Sequence, residues 1–511
     1  MSSTRTARLL AVVAAAGLLL VGCSGGGEPA PTTGTDAGPP AEPTGTLRVN
    51  WGNAPASWAP GSGTDAGYMR VPYETLLTLG PDYEILPNLA IEWEQTPTSI
   101  TLALRDDVTF HDGTPFDSEA VKANLEYVRD NPGQFAGPLQ AVASVDTTDQ
   151  HTAVINLKFP APTFLTMLTQ RNVFIAAPST LADGSVVTSP VGTGPWAYDA
   201  ASSVDATKWS FSLYDGYWGQ TPHYADIELY AIADDTAATA ALVGGEIDLT
   251  DTVDEQLSTI ESAGNLDTFE YEALRNNVTF FDRGEGGAFA DPAVRQAMCY
   301  ALDDEGLIAL NDGVTSVPGQ HFVEGELGYN PDIVGYSQDL DTANQLLDGK
   351  RVDVTMPAAP FLKRQVEYVA DQLNQLDGVT VTVQDLPIPE YVSTWNSGQY
   401  ALGIGQAPQL TPYDWYASWF SETARANPAG AESSELKAAA QAAIAADGEQ
   451  ADQLWRDAMK IIIDDEALGC GYAVIGQSIA WNAATVGGVA APSEVYEVNL
   501  VNYRDIYPIS G

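Results

Sequence analysis

"LRDDVTFHDGTPFDSEAVKAN", residues 104–124, decides how the chain is read. With the residues just before it, the segment 99–110 alternates in the manner of a strand pair. His111-Asp112-Gly113-Thr114 then supplies a turn, with glycine where a positive φ costs least. Asp117 or Ser118 caps a helix in which Val121, Leu125 and Val128 share one face. The stretch therefore mixes strand, turn and capped helix within a few turns of chain.

The same mixture extends outward in both directions. "TGTLRVNWG" (44–52) reads as a first strand. "TAATAALVGGEIDL" (236–249) is a helix stopped at Gly244-Gly245 and followed by a short strand. "DPAVRQAMCYAL" (291–302) begins with an aspartate cap and Pro292 at the first helical position, with Val294, Ala297, Met298 and Ala301 as its inner stripe. "QLWRDAMKIIIDD" (453–465) is another amphipathic helix. Alternation of this kind indicates α/β or α+β domains. No fixed-period repeat interrupts it.

Composition narrows the class. The chain has 511 residues, 45% of them hydrophobic, which is ample for packed cores and too long for a single one. Two or three domains are expected. Lysine and arginine number 22 against 68 acidic residues, a net charge of −46. So acidic a body repels phosphate backbones and anionic lipid, which argues against nucleic acid and against peripheral membrane binding. The acids are scattered, so solubility accounts for them.

The amino terminus is a separate unit. Arg5 and Arg8 precede an apolar run, Leu9 to Val21, of about half to two-thirds the length that spans a bilayer. Residues 1–22 read as a secretory signal peptide. Leu20-Val21-Gly22-Cys23 resembles the bacterial lipobox, in which the cysteine takes a diacylglyceryl group and becomes the mature terminus. Residues 23–45, rich in Gly, Pro, Thr and Ala, form a disordered tether reaching ~25 Å. Two further cysteines, Cys299 and Cys470, lie in apolar surroundings; they either pair outside the cell or remain buried thiols.

Catalytic chemistry finds no footing. His111, His151, His223 and His321 are far apart with no metal-ligand spacing. Ser434-x-x-Lys437 lies in an alanine-rich helix without companion motifs. "GQSIA" (476–480) lacks the final glycine of a nucleophile elbow, and no phosphate-cradling G-x-x-x-x-G-K loop is present. No metal and no cofactor are expected, and any ATP would be hydrolysed by another protein.

Six segments, in order, resemble the extracellular solute-binding proteins of ABC importers, family 5, the peptide-, nickel- and oligosaccharide-binding type. They are "YETLLTLGPDYEILPNLAIEW" (73–93), the opening stretch 104–124, "VGTGPWAY" (191–198), "DGYWG" (215–219), "AALVGGEIDL" (240–249) and "DPAVRQAMCYALD" (291–303). The resemblance implies an α/β, two-lobed periplasmic-binding-protein-like fold of class II, with an additional domain on the first lobe and a ligand cleft between lobes. By analogy, lobe I comprises 46–63, 190–280 and 482–511. The extra domain is 64–189, and lobe II is 281–481. Two chain crossings give a hinge. The partners implied are a small-molecule or peptide ligand and the importer's membrane subunits. The protein is expected to be a monomer, exported and lipid-anchored on the outer face of the cell membrane or in a periplasm.

The chain departs from the peptide binders of this family at one place. They often carry W-x-x-D-x-x-D-P at the cleft, the first aspartate pairing with the peptide's ammonium group. The corresponding stretch is "GQAPQLTPYDWYASWF" (405–420), with Gly405 for the tryptophan and Pro408 for that aspartate. Asp414 is a displaced cation anchor or, with Thr411, one half of a T-x-x-D helix cap. By analogy Asn53, Trp58, Trp196, Asn277, Asp414, Trp415 and Trp419 line the cleft. Trp51 and Trp395 lie beside these segments; Asp282 and Arg283 follow Asn277 in a charged loop. An oligopeptide or peptide-like solute ranks first, an oligosaccharide second and a metal chelate third. A secreted cell-surface hydrolase, or a signalling lipoprotein that has lost transport, are the alternatives.

Overall fold

The computed structural model describes residues 38–509 except 63, 81–83, 132–136, 162–163, 311–312, 396, 408–410, 447 and 491–500. The signal peptide, Cys23, most of the tether and Pro408 lie outside the described residues. Nine strands form one sheet. Its spine is Thr46–Asn50, where Leu47 and Val49 are fully buried. This strand runs parallel to both neighbours, Asp226–Tyr230 and Leu249–Thr252. Parallel partners need long crossovers, which the chain supplies as whole excursions. The carboxyl ends of all three strands therefore emerge on one side, where open α/β sheets place ligands.

The sheet continues through two long antiparallel strands, Leu266–Phe280 and Gly469–Asn482. Their first and last stretches pair beside Leu249–Thr252, while Arg275–Phe280 also pairs with Leu402–Ala407 on the far side. Register slips fall between Glu272 and Leu274 and between Asn276 and Val278. Such slips bend and twist a ladder locally. They sit where the two strands pass from one hydrophobic core to the next.

Three bodies of core follow this path. Leu47, Trp51, Trp58, Trp196, Trp209 and Tyr503 belong to the first. The second gathers Leu76 through Ala177 around a four-stranded antiparallel sheet covered by the helix Ser118–Asp130. Tyr127 on that helix touches both cores. The third body has two adjoining clusters, one around Phe280, Met298 and Val366 and one around Trp415, Trp455 and Tyr472. Cys299 and Cys470 are joined in a disulfide that ties the helix Pro292–Tyr300 to the long strand Gly469–Asn482.

Local expectations meet the structure closely, with two differences. Asp117 caps the helix through the Ala120 amide, and Asp291 caps the next through the Ala293 amide. The segment 99–110 is not a strand pair: Ser99–Leu104 is one strand, and beyond it only an isolated bridge joins Thr109 to Pro115. Arg105 folds its side chain onto Asp107, and Pro115 has no amide to extend a ladder. The helix ending in "KIIIDD" is α-helical over Gly448–Lys460 and then widens to a π turn at Ile461–Asp465.

His111 explains why two distant motifs occur together. Its Nε2 lies 2.8 Å from the Gly194 carbonyl and its Nδ1 accepts from the Gly192 amide at 3.3 Å. This fixes the neutral ring with its proton on Nε2. The "GTGP" loop is thus docked onto the "HDG" turn. A side chain at Gly192 would put its Cβ 2.0 Å from the Pro72 carbonyl oxygen, so the close approach requires glycine there.

Candidate ligand cleft

Asn50 closes the strand ends of the first core. It is buried, donates to Thr250 Oγ1 at 3.0 Å and accepts from the Ile232 amide at 2.7 Å, so one side chain ties all three parallel strands. The chain then turns: the Asn53 amide donates to the Trp51 carbonyl, and the Asn53 side chain is exposed. Trp51 is buried, its indole donating to Tyr503 Oη at 2.6 Å.

Asp251 sits beside this turn, at the end of Leu249–Thr252. A Cβ placed on Gly52 would lie 3.9 Å from Asp251 Oδ2. Burial, then the carboxylates of Asp235 and Asp65, push the Asp251 carboxyl up to about 7. Its hydrogen bond comes from the Thr250 hydroxyl at 3.3 Å. Among the described residues no lysine, arginine or histidine pairs with it. Asp65, by contrast, lies 3.5 Å from Arg171. The neighbouring Thr252 hydroxyl is buried without a hydrogen-bond partner. This is a carboxylate held where a cation is missing.

The helix Pro412–Trp419 begins at a second junction. Its Tyr413 packs against both the core of residues 76–177 and the cluster around Trp415. The Thr411 hydroxyl accepts from the Asp414 amide at 3.2 Å and donates to Asp414 Oδ2 at 2.7 Å. Asp414 therefore completes the T-x-x-D cap. Trp415 is fully buried and stacks on His321 at 4.3 Å. Trp419 is 5% exposed, and its ring occupies the space a side chain at Gly405 would need, 2.3 Å from the ideal Cβ. The glycine that replaces the family's tryptophan is thus filled from the facing helix by another tryptophan.

The remaining named residues are placed as follows. Asn277 is buried at the upper register slip; its amide donates to Thr279 Oγ1 at 2.9 Å, and it pairs with Gly405 across the sheet. Trp58 is packed edge-on against Tyr68, Trp209 and Phe211 within the first core. Trp196 is there too, its indole donating to the Tyr224 carbonyl. The structure brings Asn277, Gly405 and Trp419 together and puts Asp414, Trp415 and Trp419 on one helix, with Trp58 and Trp196 in a different core. Arg283 is buried over Phe420, while Asp282 accepts from the Ala288 amide. Asp251 was missed in the sequence. The signal for it was an acid at the carboxyl end of a short strand directly after the "GGEIDL" motif.

No cluster of three or more His, Cys, Asp or Glu side chains among the described residues could hold a metal ion. No helix among them is long and apolar enough to cross a membrane.

The family description "Bacterial extracellular solute-binding proteins, family 5 Middle" matches residues 84–427. ABC transporter peptide-binding proteins of several Brucella species are 28% identical over 337 residues, 62% of this chain and 63% of theirs. The chain thus spans under two-thirds of those relatives. A probable D,D-dipeptide-binding periplasmic protein of Escherichia coli is 25% identical over 81% of this chain and 84% of its own. A solved Helicobacter pylori periplasmic binding protein in complex with the peptide STSA superposes with a TM-score of 0.78 at 20% identity, over 92% of this chain and 99% of its own. An Agrobacterium tumefaciens binding protein in complex with agropinic acid superposes with a TM-score of 0.79 at 19% identity, over 91% and 99%. The α/β, two-lobed binding-protein fold expected from the sequence is the fold observed.

Proposed function

The chain belongs to the bacterial extracellular solute-binding proteins, family 5, and from that premise we propose that it captures an oligopeptide or peptide-like solute bearing a cationic group. The ligand lies at the carboxyl ends of the parallel strands, and the loaded protein delivers it to the membrane subunits of an ABC importer. Asp251 carries this reading. A buried carboxyl flanked by other carboxylates is destabilised in the empty protein, and a ligand ammonium restores what desolvation removed. Binding is therefore strongest for ligands with a free amino group, and near neutral pH it expels a proton from Asp251.

Closure has a mechanical basis in the two long strands. Lobe I (46–63, 190–280, 482–511) and lobe II (281–481) are joined through them, and the register slips let one half rotate against the other. Arg364 reaches Glu255 at 3.7 Å between helices on opposite sides of the slips. The extra domain (64–189) meets lobe II at Tyr413. The lipidated Cys23 keeps the protein beside its permease through two acyl chains.

An oligosaccharide would need exposed aromatic faces, and Trp51, Trp58, Trp196 and Trp415 are each at most 2% exposed. The test is a thermal-shift series with free peptides, N-acetylated peptides, oligosaccharides and nickel chelates. A ligand at a hundred times its dissociation constant adds about 2.7 kcal/mol. Free-amine peptides should raise the melting point and acetylated ones should not. A response to oligosaccharides alone would overturn the proposal.

A further inference from the structure

A closed-in cavity of about 250 Å³ lies away from Asp251 and the Pro412–Trp419 helix, where the segment Arg70–Leu79 leaves the first core for the second. Phe174 and Trp196 of the first core form one wall, Leu79 another, and the segment 501–504 near the carboxyl terminus closes it. Two guanidiniums, Arg70 and Arg504, face it together with one carboxylate, Glu74.

That carboxylate is already committed. Glu74 is 7% exposed; Oε1 accepts from Tyr217 Oη at 2.9 Å, Oε2 accepts from the Trp218 indole at 2.8 Å, and Arg504 Nη1 lies 3.6 Å away. Arg504 also donates to Tyr217 Oη at 3.1 Å. The lining is therefore net positive, in a chain of net charge −46. Elsewhere the surface repels anions; here an anion gains both guanidinium contacts and escape from water. The space is that of about eight waters, enough for a small ring or branched chain bearing one carboxylate.

We propose that this seam cavity is a second binding site, separate from the solute cleft, for a small organic monocarboxylate. Its carboxylate faces Arg70 and Arg504, and its apolar part lies against Leu79, Phe174 and Trp196. An occupant joins the first core to the second and stiffens the seam between them, whether or not the solute cleft is filled.

The probe is sodium benzoate, with inorganic phosphate and sodium chloride at equal ionic strength and pH as comparisons. Benzoate should raise the melting temperature saturably, with phosphate weaker and chloride flat. Arg70→Gln should weaken benzoate at least tenfold. Leu79→Trp, which fills the space, should abolish the response while leaving the unliganded melting cooperative. Asp251→Asn should leave it unchanged, which separates this site from the solute cleft. A shift that chloride reproduces, or that survives both Arg70→Gln and Leu79→Trp, overturns the proposal. So does a shift lost in Asp251→Asn.

Discussion

Replacing Asp251 by asparagine should stabilise the empty protein and disarm it. In the folded state burial and the carboxylates of Asp235 and Asp65 hold this carboxyl at about 7. In the unfolded chain it returns to near 4. Between those values the folded state binds more protons than the unfolded one, so stability falls as pH rises from about 4 to 7. The full displacement corresponds to about 4 kcal/mol; water reaching this half-buried group reduces it to about 2 kcal/mol. Asparagine keeps the shape and carries no charge. At pH 8, Asp251→Asn should therefore raise the free energy of unfolding by about 2 kcal/mol, and at pH 4 by almost nothing. Urea denaturation at both pH values measures the difference directly. Because Asp235 and Asp65 titrate with it, the apparent midpoint belongs to the group of three. The same substitution should weaken a free-amine peptide at least tenfold and remove the proton released on binding, read by calorimetry in buffers of different ionisation enthalpy. An unchanged urea midpoint at pH 8 would refute the claim that Asp251 is held against its own electrostatics. Retained peptide affinity would refute its role as the anchor.

His111→Ala should cost about 2–4 kcal/mol in urea denaturation, because the Gly192 amide and Gly194 carbonyl both lose a buried partner. Burial holds the His111 ring at about 4, so the wild-type protein loses stability as pH falls from about 6.5 to 4. The variant should lose that dependence. Gly405→Trp, which restores the family's residue, should destabilise by about 3 kcal/mol through collision with Trp419; adding Trp419→Ala should recover part of the loss, giving a non-zero coupling in the double-mutant cycle. Removing the disulfide in a Cys299→Ala, Cys470→Ala protein should lower stability by about 2–5 kcal/mol, since the cysteines are 171 residues apart. Cys23→Ser should move the protein from the membrane fraction to the soluble fraction, with the mass of an acyl-modified amino terminus lost.

What was legible in the sequence was what short stretches of chain decide by themselves. Asp117 and Asp291 cap their helices because a carboxylate one position before a helix finds an amide two or three residues on, whatever surrounds it. The Thr411–Asp414 cap was legible for the same reason, and the structure shows that spacing satisfied by two hydrogen bonds. The ordered motifs gave the fold, because each marks a contact that recurs with it: "HDG" meets "GTGP" through His111. The strand pair at 99–110 was misread since alternation says nothing of Arg105 closing on Asp107. The tryptophans were legible as aromatic and unreadable as to place. Trp58 and Trp196 belong to the first core, and only the packing of Tyr68, Phe211 and Tyr503 about them decides it. Asp251 is the clearest case. Its chemistry comes from Asp65 and Asp235, 186 and 16 residues away in sequence, and from a sheet that assembles strands from opposite ends of the chain. An aspartate among 68 acidic residues carries no mark of that. Two opposed titrations then share one pH range: His111 makes the fold firmer as pH rises toward 6.5, and Asp251 loosens it up to about 7. Their near-cancellation would leave the wild-type stability flat across that range, while each single variant exposes the slope of the other. A flat profile in the parent protein is thus no evidence that either group is silent.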